Sequence, residues 1–370
     1  MSSGLNMSRR IRRTPYTDRV ETAGVRGFTV VNHMLLPKAY QPSVEDDYWH
    51  LREHVQLWDV SCQRQVEIKG PDATKLVQWM TPRNLSHAKV GQCLYVPLID
   101  ECGGLINDPV LLKIEEDRYW LSIADSDVLL YAKGLAIGAG FEVNISEPDV
   151  SPLAVQGPKA EDLLASLFGE SIRSIGFFRF AYVDFLGTQQ LLARSGYSRQ
   201  GGFEIYLKNS SLGSALWDTV WQAGESMNIR PGCPNLIERI EGGLFSYGND
   251  MTRENTPLEI GLGKYCALDG SVNFIGKEPL LKIANEGVSR EIRGVLFDGE
   301  ACPTCSTPWP VMVGSRKVGE ITSAIWSPRL HRNVGLSMID RDYWDAGQDV
   351  MVLSSDGNRR TGIISDLPFA

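Results

Sequence analysis

Ser195–Tyr206 reads SGYSRQGGFEIY, a glycine-rich turn that empties into a strand carrying a carboxylate and a phenol two residues apart. Side chains alternate across an extended strand, so Phe203 and Ile205 are assigned to a core while Glu204 and Tyr206 share the opposite face. A glutamate seldom enters a protein interior unless something pairs with it. Gly196, Gly201 and Gly202 permit positive φ and let backbone approach a ligand closely. An edge strand with a solvated Glu204 and a half-buried Tyr206 would also satisfy this segment taken alone.

A second segment points the same way. Leu94–Ile114 (LYVPLIDECGGLINDPVLLKI) reads as a β-hairpin turning at Glu101-Cys102-Gly103-Gly104, with Asn107 and Asp108 on the returning strand just before Pro109. An acid within an apolar strand is costly to bury unless something binds it. Asp108 is therefore a candidate site carboxylate, the plainer alternative being a strand-end Asp that caps a turn.

Outward from these two segments, the pattern mixes helices and strands. A helix is expected over residues 45–56, an apolar strand pattern within Leu57–Lys69, and helical spacing from Pro71 to Met80. Leu212, Leu216, Trp217 and Val220 form the apolar stripe of a helix over 212–221. Asn235 with Glu238 has capping-box spacing and opens a helix expected to carry Arg239, Glu241 and Tyr247, with Gly242 and Gly243 inside it for close packing. Lys282–Arg290 reads as a polar linker, and beyond it short strands and tight turns indicate a small β-barrel or sandwich.

Composition narrows the class. The 370 residues suffice for two or three domains, and 43% hydrophobic with 22% charged residues excludes disordered and fibrous classes. The net charge of −8 gives no reason to expect nucleic acid and argues against anionic membranes as partners. No apolar run reaches eighteen residues, so no transmembrane span is expected. Arg9, Arg10, Arg12 and Arg13 are not followed by the apolar region of a secretory signal, and are read as a mobile basic arm on a cytoplasmic protein. Seven scattered cysteines fit reduced thiols. Cys302-Pro-Thr-Cys305 has redox or metal spacing but no second pair or neighbouring His, and His50 and His54 at helical spacing read as a packing or solvated pair. No metal site is expected.

Several motifs in order carry a resemblance. Leu57-Trp58-Asp59-Val60-Ser61, Gly103–Asp108, Leu153–Gly157, Gly196–Ile205, Arg239–Asp250 with Tyr247-Gly248-Asn249-Asp250, Gly261–Lys264 and Gly319–Pro328 resemble the folate-dependent aminomethyltransferase family, typified by the glycine-cleavage T-protein. Asn32–Pro37, Ala124–Val128, Phe177-Phe178, Gly232–Glu241 and Asp366–Phe369 are similar to its dimethylsulfoniopropionate demethylase branch. The T-protein pattern places Arg where Asn235 stands and a second Asp where Asn107 stands, and the demethylase pattern places Trp at Tyr197 and Gly at Arg179.

The resemblance implies an α+β, three-domain cloverleaf-like folate-binding aminomethyltransferase fold with a C-terminal β-barrel. Residues 1–285 would form the tetrahydrofolate-binding region, two interleaved α+β domains, and residues 286–370 the barrel. It further implies that Tyr95, Asp108, Tyr197, Glu204 and Tyr206 bind tetrahydrofolate, that Phe177, Phe178, Tyr197 and Tyr206 face a small sulfonium substrate, and that Asp108 is catalytic. A T-protein-like aminomethyltransferase, an N-demethylating relative and a non-catalytic folate-binding protein stay open as alternatives. So does a homodimer.

Overall fold

The computed structural model describes residues 8–369. The chain gathers into two units, the first built from residues up to Val77 with Ser86–Tyr95 and Pro109–Asn235, the second from Gln78–Leu85, Val96–Asp108 and the chain from Leu236 onward.

The first unit is organised by a six-stranded sheet in the order Phe180–Phe185, Thr188–Ala193, Gly202–Lys208, Val150–Gln156, Val55–Asp59, Ile229–Gly232. All pairings are antiparallel except the last, which is parallel. One face is apolar: Val55, Leu57, Leu153, Val155, Phe203, Ile205 and Leu207 pack with Leu163, Leu164, Trp217 and Val220 of the helices Ala160–Phe168 and Gly213–Gly224. Burying each such side chain contributes roughly 1.5–3 kcal/mol, which fixes the register because a one-residue slip would turn every one of them to the other face. The alternate residues form a mixed opposite face on which buried Gln56, Gln156 and Glu204 stand among Trp58, Ala154, Leu191 and Tyr206. Ala154 lies in register between Trp58 and Glu204, and Gln156 between Gln56 and Gly202. A five-stranded sheet, Asn144–Ser146, Gln65–Lys69, Arg118–Ser122, Val110–Glu115 and Cys93–Tyr95, completes the unit's larger β structure.

In the second unit six strands close into a barrel in the order Arg290–Phe297, Arg332–Asp340, Arg316–Ser327, Trp309–Val313, Asp349–Leu353, Arg359–Ser365. Phe297, Trp309, Val311, Ile321, Ile339 and Val352 fill its interior. The helix Leu236–Glu241 docks on the Arg316–Ser327 strand through buried charge: Arg239 pairs with Asp250 at 2.7 Å and donates to Ser323, while Glu241 accepts from Ser327 and Arg329. Thr322 and Ser323 donate to the other Asp250 oxygen. Truncating one member of such a pair strands a buried charge and costs about 3–5 kcal/mol, so the Asp of the Tyr247–Asp250 motif is an architectural anchor.

Several sequence expectations shift. The Leu94–Ile114 hairpin forms as two short ladders, Cys93–Tyr95 against Val110–Leu112 and Leu98–Ile99 against Leu105–Asn107, with Asp108-Pro109 at the break. Proline has no N–H to donate, so a ladder stops there and Asp108 leaves the strand. Leu57–Lys69 splits into the strands Val55–Asp59 and Gln65–Lys69 about a turn closed by Gln63 N–H to Val60 O. The helix opened at Asn235 ends at Glu241, because Gly243 takes φ 63° and reverses the chain before Tyr247. Asn235 donates its carboxamide to Val44 O. The expected linker begins inside a helix, Lys277–Glu286. Nor is the basic arm loose from Arg12 onward: Arg12 pairs with Glu147, Arg13 with Asp18 and Glu21, and Thr14 donates to buried Asp59 at 2.5 Å.

Candidate functional site

The strand Gly202–Lys208 delivers the juxtaposition expected of it. Phe203 and Ile205 enter the apolar core, and Glu204 and Tyr206 point together to the other face, both buried. Ser195 Oγ donates to Glu204 Oε2 at 2.5 Å, and the Tyr206 hydroxyl donates to the same oxygen at 3.5 Å. Both hydrogen bonds to this carboxylate among the described residues end on Oε2, which leaves Oε1 to accept from a ligand. Burial raises the Glu204 pKa above the ordinary carboxylate value, with the Ser195 and Tyr206 hydrogen bonds pulling against it. The Tyr206 phenol is pushed well up by burial and then by the Glu204 charge.

Aromatic and apolar groups surround the Tyr206 ring beside this carboxylate. Tyr206 packs with Cys93, Leu112, Trp120, Phe180 and Leu191, with Phe178 against the cluster, and its ring lies 6.4 Å from that of Trp120. Trp120 is held by its indole N–H on Glu67 at 2.8 Å. The buried Cys93 thiol has a raised pKa, chiefly from desolvation, with Glu204 adding to the rise and Arg179 opposing it.

The two phenylalanines part company. Their rings meet at 4.8 Å, tilted by 43°, but Phe177 is 77% exposed whereas Phe178 packs on the Tyr206 cluster. Phe178 takes φ 56°, a conformation that costs a bulky residue about 1–3 kcal/mol and persists only where surroundings enforce it. They do so here: Cys93 N–H donates to Phe178 O at 2.9 Å and Phe178 N–H to Arg194 O at 3.0 Å. Tyr95, half-buried, ends the Cys93–Tyr95 strand opposite Val110, and Tyr197 is half-buried in the loop that precedes Gly202.

Asp108 belongs to the second unit, half-buried, directly after the Leu105–Asn107 strand. That strand end is fixed by Leu105 N–H on Asn255 O at 2.9 Å and by the Tyr247 hydroxyl on Leu105 O at 2.9 Å. Burial pushes the Tyr247 phenol up; Arg253 opposes the shift, and Asp108 and Asp100 add to it, which places Asp108 within electrostatic reach of Tyr247.

Sequence reasoning missed Ser195 and Gln156. Ser195 opens the very stretch that was singled out, but a hydroxyl aimed back across nine residues leaves no periodic signal. The other singled-out groups lie elsewhere. His50 and His54 lie 4.9 Å apart with their rings tilted and are engaged by Asn228 O and Lys159 Nζ, and burial lowers the His50 pKa to about 4, so it is neutral at pH 7. The Cys302 and Cys305 thiols are raised to about 11 and about 12, chiefly by burial, which suppresses thiolate chemistry. Among the described residues no three His, Cys, Asp or Glu side chains form a metal-binding group.

Comparison with known proteins gives a consistent result. The GCVT N-terminal domain family matches residues 16–270, and the glycine cleavage T-protein C-terminal barrel domain family matches residues 290–370. A dimethylsulfoniopropionate demethylase DmdA of Ruegeria pomeroyi is 52% identical over 352 residues, covering 95% of this chain and 96% of that protein. An aminomethyltransferase of Caldanaerobacter subterraneus subsp. tengcongensis is 32% identical over 318 residues, 84% of each chain. The crystal structure of glycine cleavage system aminomethyltransferase T from Bartonella henselae superposes with a TM-score of 0.86 over 97% of this chain and 98% of that one; at 23% identity it speaks to the fold.

Proposed function

The chain belongs to the glycine-cleavage T-protein family of aminomethyltransferases, and from that premise we propose that it demethylates dimethylsulfoniopropionate, moving a methyl group from the sulfonium to N-5 of tetrahydrofolate. The products are 5-methyltetrahydrofolate and 3-methylthiopropionate. The choice of donor is supported by 52% identity to a dimethylsulfoniopropionate demethylase over almost the whole of both chains, against 32% to an aminomethyltransferase. The observation in the molecule that carries the reading is the Glu204 carboxylate, buried beside the Tyr206 phenol with one oxygen tied to Ser195 and Tyr206 and the other left to accept.

That donor set fits a pterin. A ring edge rich in N–H groups offers what a buried carboxylate needs, and charge-assisted hydrogen bonds of this kind are about twice as strong as neutral ones. In our reading Glu204 orients the ring, Tyr95, Tyr197 and Tyr206 supply faces and hydroxyls around it, and Asp108 serves the accepting end. Bound tetrahydrofolate supplies the nucleophilic nitrogen that receives the methyl group.

The division of labour follows from charge. In the displacement positive charge leaves sulfur and appears on the accepting nitrogen. A carboxylate beside the sulfonium would stabilise the ground state more than the transition state, so it would slow the step. A carboxylate at the accepting end instead gains interaction as the cation develops there, and that is the role the family resemblance implies for Asp108. The sulfonium is better held by ring faces, worth roughly 0.5–2 kcal/mol each when desolvated. Phe178, packed beside the Tyr206 cluster, suits that role within the unit described, and the exposed Phe177 touches it at a tilt. Aligning sulfur, methyl and nitrogen can contribute on the order of 7–11 kcal/mol without any nucleophilic side chain.

The same reading keeps residues 1–285 as the folate-binding region and 286–370 as the barrel, in a cytoplasmic protein. Product analysis tests it. Incubation with dimethylsulfoniopropionate and tetrahydrofolate is expected to yield 5-methyltetrahydrofolate and 3-methylthiopropionate in equal amounts. Neither product forming, with methylenetetrahydrofolate arising instead from an aminomethyl donor, would replace this reading with T-protein-like chemistry.

A further inference from the structure

Gln156 ends the strand Val150–Gln156 on the face of the six-stranded sheet that carries Glu204, 1% exposed, and its carboxamide is spent almost entirely on the loop that follows Ser195. Its Nε2 donates to Ser195 O at 3.1 Å and to Phe203 O at 3.4 Å, one anchor at each end of the loop, and lies 3.4 Å from its own neighbour's carbonyl, Val155 O. Its Oε1 accepts from the Ser198 hydroxyl at 2.8 Å, in the middle of the loop. The backbone adds Gly157 N–H to Gly201 O at 3.1 Å.

The glycines of the loop are shaped around this one side chain. A Cβ on Gly196 would sit 2.2 Å from the Gln156 carboxamide, and a Cβ on Gly202 would sit 2.3 Å from Val155 O and 2.7 Å from Gln156 Nε2. Both glycines hold positive φ, 151° and 135°, where a side chain would also be strained. The loop thus closes onto the carboxamide at both ends by contact and in its centre by a hydrogen bond. Between those points it carries Tyr197, and its first residue, Ser195, is the donor that fixes Glu204.

We propose that Gln156 is a positioning residue: its carboxamide latches the Gly196–Gly201 loop and thereby sets both the Ser195–Glu204 hydrogen bond and the placement of Tyr197 for folate binding. The consequence for ligand binding rests on the folate-site reading given above; the latch itself does not. A carboxamide suits the task because it donates to carbonyls at the loop ends and accepts from a hydroxyl at its centre. A carboxylate of the same length cannot donate, and an alanine does neither.

The test uses the full-length protein. Arg199 is exposed within the loop and offers trypsin a cleavage point, so loop closure can be read with no folate or methyl donor present. Gln156→Ala and Gln156→Glu are expected to be cut after Arg199 about tenfold faster than wild type, and to show a folate KM raised about tenfold with kcat changed much less, the loss of one to two hydrogen bonds from the bound state. Ser198→Ala, which removes only the central contact, should move both readouts in the same direction by a smaller factor, and serves alone if the Gln156 variants do not fold. Wild-type cleavage rates and wild-type folate KM in the folded variants would overturn the proposal. So would a fall in kcat in proportion to the lost folded fraction with KM unchanged. Accelerated cleavage in a protein that turns over no methyl donor would leave the latch standing and remove the folate reading, whereas unaltered cleavage in an active demethylase would do the reverse.

Discussion

Asp108→Asn is expected to lower turnover about tenfold or more while leaving the fold and the folate affinity close to wild type. The substitution preserves shape and removes charge. Asp108 follows a strand end that is held by backbone, through Leu105 N–H on Asn255 O and the Tyr247 hydroxyl on Leu105 O, so neither hydrogen bond depends on the carboxylate. The loss should fall on kcat, because the charge gains interaction only as the accepting nitrogen becomes cationic. Steady-state kinetics with saturating folate, beside a thermal melt, reads both quantities. Wild-type kcat in a folded variant would confine Asp108 to a structural role at the strand end.

Glu204→Gln should act on binding. Exchanging a charge-assisted hydrogen bond for a neutral one costs about 1–1.5 kcal/mol, or roughly five- to tenfold in folate Kd. The pH dependence adds a signature that simple destabilisation lacks. Burial raises the Glu204 pKa, so the carboxylate is neutral below that raised value and ionised above it. Pterin N–H donors favour the ionised form. Folate affinity should therefore hold steady at higher pH and weaken as pH falls through the raised pKa, beginning above the ordinary carboxylate range. In Glu204→Gln that dependence should vanish. Titration of folate binding across pH in both proteins measures it, and equal affinities with parallel pH profiles would remove Glu204 from the site.

Local physics explains which of these features could be read from the chain. The alternation Phe203, Glu204, Ile205, Tyr206 specified both faces of a strand, because a period of two is a property of the backbone and needs no knowledge of neighbours. A barrel or sandwich was legible for the same reason, as a run of short strands separated by turn residues, and the family resemblance pointed to the barrel that forms. Boundaries fared worse where two signals compete. Leu236–Ile240 has helical spacing, and the capping arithmetic carried the helix on to Tyr247, but Gly243 at φ 63° ends it. Pro109 was seen, yet its effect, the division of one hairpin into two ladders with Asp108 at the break, depends on where each ladder finds a partner. The basic residues after Arg10 read as a loose arm because their acidic partners include Glu147, far along the chain. Ser195 and Gln156 were invisible as site residues for a related reason. Each acts on a loop that glycines fold back across the sheet, and sequence spacing carries no record of that closure.

The proposed reaction requires that a methyl group pass intact from a sulfonium to the folate nitrogen. Supplying dimethylsulfoniopropionate with fully deuterated S-methyl groups and weighing the folate product by mass spectrometry tests it most directly. The account expects 5-methyltetrahydrofolate carrying three deuterium atoms, formed in step with the thioether. A folate product at the methylene level, or a methyl group that retains only two deuterium atoms, would contradict it.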